Sequence, residues 1–329
     1  VPAVDVMRQV WLQQFVTVDG DLRFRAATAL PPTAHQIVSP DDPEARWSTK
    51  RTTHGTGYNV QLTETCDDSG PHRITHGATT PATTQDVDLT ATIHADLAQR
   101  DLLLAEQLVD AASMASEVVV TSRTTHQVDL VGPVPADTSW HARAQTGYDV
   151  ACFRVDWEAC RVTCPEGQIS TVWRPGKTDR DQPIITVAFD PDACAACPAR
   201  ARCTNAAERP RILKLRPQAQ HETVQAVRQA QSTDAFNQRY ANRAGIEGTI
   251  AQGTGRFRLR RMPYRGQAKT HLHHILVASA INYECIGRIL SLCGNAFAYG
   301  ILESGSHKCS SSVREKVVGL ILIKQSSFN

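Results

Sequence analysis

Glu247 and Asp110 are the two carboxylates whose neighbours in the sequence point to chemistry. Glu247 follows Tyr240 and Arg243 at steps of three and four, which places all three on one face of a helix. That helix can be capped by Thr233, and its apolar side carries Phe236, Tyr240, Ile246 and Ile250. Asp110 comes directly after Leu108-Val109, at the end of a short apolar run over 102–109, where a strand would deliver it at its carboxyl end. Two or three acids converging on Mg²⁺ allow the cation to activate an attacking oxygen and to stabilise a leaving one at a phosphodiester. A plainer reading stays open: Asp110 caps the segment from Ala111, and Arg243 with Glu247 is a surface ion pair.

Downstream of Glu247 lie Arg256, Arg258, Arg260, Arg261, Arg265 and Lys269, with no acid between them and with Phe257 and Tyr264 interleaved. A solvated face ordinarily mixes signs. An acid-free run with aromatic rings suits the phosphates and bases of a nucleic acid, where phosphate contacts give affinity without sequence preference. The net charge of +2 conceals this local excess.

A third constellation is sulfur. Cys194 and Cys197 are separated by two residues, the gap that lets two thiolates reach one tetrahedral Zn²⁺, and Cys203 and Cys164 can complete four ligands. Ordinary free thiols are the alternative. Redox use is disfavoured by the absence of a thioredoxin-like strand and helix frame around the pair. His271 and His274 share a helix face but have no acid near them in the sequence, so they are expected at the core edge or facing phosphate.

The elements that must position these groups can be read from periodicity. Strands are expected over 57–65, 73–80 and 128–131, a helix opening at Asp86 or Asp88 with Ile93 and Leu97 inward, and another helix over 269–290. From 133 to 209 the periodicity breaks and Pro, Gly, Trp and Cys dominate, as in an inserted module. The organisation expected is an N-terminal remnant over 1–50, core segments over 51–132 and 210–290, the Cys-rich insertion over 133–209, and a divergent tail over 291–329. There is no internal repeat. The longest apolar run, 317–323, is far short of the roughly 20 residues of a membrane span. With no signal peptide pattern, a reducing cytoplasm is expected. The sequence starts inside an amphipathic pattern (Val4, Met7, Val10, Trp11, Phe15) without a methionine, and reads as a piece of a longer protein.

Taken together, several motifs resemble a DDE transposase of bacterial insertion sequences, in the group whose catalytic domain is interrupted by a cysteine-bearing insertion. They are Ser39-Pro40-Asp41-Asp42-Pro43-Glu44-Ala45-Arg46, Gly57-Tyr58-Asn59-Val60, Leu62-Thr63-Glu64-Thr65-Cys66-Asp67, Leu108-Val109-Asp110-Ala111, the cysteine module, and the stretch from Tyr240 through Asn282. The resemblance implies an RNase H-like α/β fold, a mixed sheet with flanking helices, and Mg²⁺-dependent DNA cleavage and strand transfer at transposon ends. It makes Asp110 the second acid and Glu247 the third, with Tyr240 and Arg243 positioning phosphate and a homodimer bridging two DNA ends. Thr254 stands where the family's signature has lysine, and Ala111-Ala112-Ser113 stands where Ala-Gly-Tyr is common. Only two strands are expected before the helix that precedes Asp110. They read as strands two and three, so the strand with the first acid is expected upstream of Val1 and this copy is expected to be truncated and unable to cut DNA. Asp67 is expected to be a turn residue. The runner-up is a zinc-containing nucleic-acid-binding protein without catalysis.

Overall fold

The structure is a computed structural model that describes residues 1–50, 53–66, 72–298 and 317–324. Asp67 and Cys309 lie outside the described residues. The chain divides into two compact units. One comprises 1–113, 122–132 and 238–329, and the other 114–121 and 133–237.

The first unit is built on a mixed sheet. Its strands are β1 (Arg46–Lys50), β2 (Thr53–Thr65), β3 (Ile74–Pro81), β4 (Glu106–Leu108), β5 (Asp129–Val131) and β6 (Val317–Lys324). β2 pairs antiparallel with β1 and β3, and β4 pairs parallel with β5. Three strands of this sheet therefore precede the helix α1 (Thr90–Gln99), one more than expected, because the backbone at Arg46–Lys50 forms a hairpin partner for the first residues of β2, and a separate hairpin of Phe15–Val18 and Asp21–Phe24 comes before them. The mixed α/β class matches expectation.

The space between β2 and β4 is filled. β6 lies there, antiparallel to β2 with Ile321 opposite Leu62, and parallel to β4 with Val318 beside Leu108. The apolar run 317–323, too short to span a membrane, thus pairs within the sheet.

β2 is buried on both faces. Tyr58, Val60 and Leu62 are fully enclosed, and so are the alternate polar residues Asn59, Gln61 and Thr63. Alternation here marks a polar layer of the core, where each side chain must find a partner. Gln61 donates to Asp86, and Asn59 donates through Nδ2 to the carbonyls of Ala82 and Thr84. Ile93 and Leu97 of α1 are buried, as their spacing predicts.

The segment after 233 is expected as one helix and forms two, α2 (Asp234–Ala241) and α3 (Gly245–Arg256), joined by a 3-10 turn Asn242–Ala244. The turn re-aims α3 so that Ile246 and Ile250 become buried while Tyr240 stays half-buried. Thr233 Oγ1 accepts from the Phe236 amide, as a cap should.

The long helix α4 (Gln267–Ala298) packs on β3, where Ile275 lies against Gly77, and its Val277, Ala278 and Ile281 are buried. Asn282 brackets Ile74 with both amide atoms at 2.8 Å, taking the place of a neighbouring strand at that edge. His274 is fully buried and meets Thr79 Oγ1 at 2.7 Å, so it is a core residue. The N-terminus of α4 is held by acids from far upstream. Asp42 accepts from the Gly266 amide at 3.0 Å and Glu44 from the Gln267 amide at 2.6 Å. Gly266 sits at φ +86°, a backbone shape that suits glycine at this turn.

The second unit has a three-stranded antiparallel sheet (Val172–Lys177, Pro183–Ala188, Ile212–Leu215) and a two-stranded ribbon (Arg154–Asp156, Arg161–Thr163). Its core is Phe153, Val162, Val187, Phe189, Leu213 and Leu215, with Cys164, Cys194 and Cys203 packed against it. Among the described residues, no helix is long and apolar enough to cross a membrane.

Candidate active site and nucleic-acid interface

Asp110 stands two residues beyond the carboxyl end of β4, where the sequence places it. Its Oδ1 accepts from the amides of Ala112 at 3.0 Å and Ser113 at 3.3 Å, closing a 3-10 turn Ala111–Ser113. The plain and the chemical readings thus coexist: one oxygen caps the turn, and the fixed carboxylate keeps its position at the sheet end.

Glu247 is on the first turn of α3 and is exposed. Arg243 Nη2 lies 3.5 Å from Glu247 Oε1, and the Arg243 guanidinium lies 5.9 Å from the centre of the Tyr240 ring. Tyr240 reports on the geometry of all three. Burial pushes its hydroxyl above the ordinary phenol range, Arg243 opposes this, and the negative charges of both Asp110 and Glu247 push it further up. Asp110 and Glu247, 137 positions apart in the chain (247 minus 110), thus both act on the Tyr240 hydroxyl.

What joins them is a residue the sequence reading missed. Arg239, on α2 next to Tyr240, donates to Glu106 at the start of β4 and to Asp129 at the start of β5. Asp129 also receives Arg123 at 2.6 Å. Arg239 gave no signal in sequence because its acids are more than a hundred residues away. A second unforeseen link is Thr249, two residues after Glu247, whose hydroxyl donates to Glu64 Oε1 at 2.6 Å. Glu64 is buried on β2, and burial raises its pKa above the usual carboxylate range.

The basic run keeps only part of its free charge. Arg256 pairs with Glu284 of α4, and Arg265 pairs with Asp41 at 2.9 Å. The expectation of an acid-free surface is corrected on that point, since the tertiary fold supplies acids that the local sequence lacks. Arg258, Arg260, Arg261 and Lys269 are exposed, and no ion pair is formed by them among the described residues. The Thr254 hydroxyl is buried without a partner, so the position where lysine was expected faces inward.

In the second unit Cys164, Cys194 and Cys203 all pack against the core. Burial raises the Cys203 thiol, Arg211 lowers it, and Cys194, Cys164 and Cys197 each push it up, which requires all three near Cys203. All four are free thiols. Among the described residues, no three His, Cys, Asp or Glu side chains converge closely enough to hold a metal ion. His141 is buried beside this region, with Nε2 at 2.7 Å from the Cys203 carbonyl.

A cleft of about 750 Å³ opens at the Asp110 end of the sheet, with Trp47, Asn59, Asp86 and Asp110 in its lining.

Residues 163–286 match a family model described as a transposase DDE domain. No curated protein and no solved structure matches the chain. The matched segment holds all four module cysteines, Tyr240, Arg243, Glu247 and the whole basic run, while Asp110 lies before it. Over that segment the chain is similar to transposase DDE domains.

Proposed function

We propose that this chain is the DNA-handling part of a transposase that acts on insertion-sequence ends, with Asp110 and Glu247 as two acids of its metal site and Arg258, Arg260, Arg261 and Lys269 as its phosphate contacts. The observation that carries the reading is the influence of both Asp110 and Glu247 on Tyr240, which makes a site of two residues far apart in the chain. Tyr240 and Arg243 are assigned to phosphate positioning. Arg243 offers a forked donor that can leave the exposed Glu247 for a phosphate oxygen. Arg256 and Arg265, already paired, serve mainly to hold the basic segment in place.

Asp110 and Glu247 are suitable hard oxygen donors for Mg²⁺, which would supply activation of an attacking water or hydroxyl at a phosphodiester. They are two of the three acids such a site needs. Strand β6, beside β4, contains no Asp or Glu in its sequence and so adds none. The function assigned to this chain is therefore DNA binding, with cleavage and strand transfer dependent on a third acid beside Asp110 and Glu247. A homodimer bridging two ends and a cytoplasmic location are part of the same reading, and the free thiols suit a reducing compartment.

The test is a gel-shift and nicking assay on DNA carrying insertion-sequence ends. Salt-sensitive binding without Mg²⁺-dependent nicking is the expected result. Efficient nicking that survives Asp110→Asn would remove Asp110 from the site, and an absence of DNA binding would remove the reading altogether.

A second reading rests on residue type: Cys164, Cys194, Cys197 and Cys203 are a soft donor set suited to Zn²⁺, three of them pack against one core, and bound zinc would make the second unit a zinc-stabilised nucleic-acid-binding module. Metal analysis of the purified chain is expected to find one zinc, lost in Cys194→Ser together with the cooperative melting of that unit. Metal-free protein that melts cooperatively would leave the cysteines as ordinary thiols.

A further inference from the structure

Helix α4 carries apolar residues on two opposite sides. His274, Val277, Ala278 and Ile281 are buried on the side toward the sheet. The other side bears Leu272, Leu276, Ser279, Tyr283, Ile286 and Leu290, which line up half a turn away at about 3.6 residues per turn. All six are exposed, and the five large ones range from 44 % for Ile286 to 82 % for Tyr283. The outward face of a surface helix ordinarily carries charge, and a continuous apolar stripe there marks a contact surface. The nearest acid, Glu284, is already engaged by Arg256, Arg288 and Gln252.

Two features of the stripe select its occupant. Its spacings, 4, 3, 4, 3 and 4, read the same from either end. An antiparallel copy therefore meets it in register, Leu272 against Leu290, Leu276 against Ile286 and Ser279 against Tyr283, each contact made twice as a two-fold interface requires. The largest side chain also has a place to go. A hollow of about 720 Å³ lies along the same helix over Ser279, Ala280 and Gly287, with Phe257 in its lining. A parallel copy would instead set Tyr283 on Tyr283 and leave the small residues facing each other. The run from Leu272 to Leu290 is about 28 Å long. Pairing two such faces removes on the order of 1,000 Å² from water, enough for a specific interface. We propose that α4 docks antiparallel on α4 of a second copy of this chain, with Tyr283 of each copy seated over Ser279 of the other. This rests on the homodimer of the reading above and gives that dimer its surface.

The experiment is size-exclusion chromatography with light scattering on the full chain, without DNA. Wild type is expected to be dimeric at low-micromolar concentration. Tyr283→Glu and Leu276→Glu are each expected to weaken self-association by about thirtyfold or more. Melting should be unchanged in both, because the two side chains are exposed in the single chain. Ser279→Lys is expected to weaken the dimer too, and Ser279→Lys combined with Tyr283→Glu to restore it, since the antiparallel register brings the two new charges together. A wild type that stays monomeric overturns the proposal and leaves the stripe to a partner of another kind. Dimers that survive both glutamate variants overturn it as well, by placing the interface elsewhere. A double variant no better than Tyr283→Glu alone overturns the antiparallel register. If one glutamate variant does not fold, the other decides. A gel shift on the same proteins keeps the two readings apart: a chain that dimerises without binding DNA retains this interface and loses the DNA reading, and a monomer that binds DNA does the reverse.

Discussion

Arg239 donates to Glu106 at 2.5 Å, and the same nitrogen reaches Asp129 at 3.1 Å, so one guanidinium ties α2 to the start of two parallel strands. Glu106 lies four residues before Asp110, and Tyr240 directly follows Arg239. The clamp therefore fixes the spacing between the strand that bears one acid and the helical segment that leads to the other. Arg239→Ala is expected to destabilise the fold by about 1–2 kcal/mol, a figure lowered for screening because the guanidinium is 39 % exposed. Arg239→Lys is expected to recover less than half, since an ammonium cannot serve two carboxylates with a planar fork. Urea denaturation measures both. A loss below about 0.3 kcal/mol for Arg239→Ala would reduce the clamp to a surface pair.

Glu64 makes stability depend on pH in a direction unusual for a carboxylate. Burial raises its folded pKa, with the Thr249 hydrogen bond and the charge of His72 opposing. Between the ordinary Glu value and the raised one, the folded chain holds a proton that the unfolded chain has released. Stability from this group is therefore fullest below the ordinary value and falls as pH rises through that window. Glu64→Gln removes the titration and keeps an acceptor for Thr249. The variant should lose stability less steeply than wild type as pH rises above the normal carboxylate range, and parallel melting curves across that range would contradict the assignment.

Tyr58 and Asp42 form a buried pair at 2.7 Å, and Asp42 also accepts from the Gly266 amide at the head of α4. Burial and the neighbouring Asp42 drive the Tyr58 hydroxyl far above its ordinary pKa, so it stays protonated and donating. Tyr58→Phe leaves a buried carboxylate oxygen unpaired and is expected to cost about 1–3 kcal/mol. Asp42→Ala should cost more, because it strips the acceptor from the tyrosine and from the helix at once. Chemical denaturation with the ranking reversed would show that the helix cap carries no stability.

The basic residues separate into two kinds. Replacing Arg260 and Arg261 together by Ala is expected to lower the slope of log affinity against log salt by about 2, with melting unchanged. Arg256→Ala should instead lower the melting temperature slightly, because it removes one cation from Glu284, which keeps Arg288 and Gln252, while changing the salt slope less. Identical behaviour of the two variants would mean that the Arg256 pairing is not maintained in solution.

The expectation that β2, β3, β4, β5 and α1 exist came from local pattern, and the structure has each within a few residues. Hydrophobic period and turn residues suffice there because each element is stabilised by contacts its own sequence advertises. Tyr240, Arg243 and Glu247 share a helical spacing, but nothing local ties them to Asp110. The break between α2 and α3 falls at Asn242 and Gly245, residues that suit a helix end but lie inside that continuous spacing, and Ile246 and Ile250 are buried beyond it.

By itself, then, the sequence determined the types of element, the placing of Asp110 after a strand and of Glu247 on a helix, and a basic run beside Glu247. Those are properties of residue type and short spacing. Only the tertiary structure decided that Arg239 holds Glu106 and Asp129, that Arg256 and Arg265 are already paired, that β6 fills the gap between β2 and β4, and that Asn59 keeps a buried oxygen free. The physical reason is common to all four. Ion pairing, strand pairing and burial depend on distance through space, and here the partners lie tens to hundreds of residues apart in the chain, where no periodicity connects them.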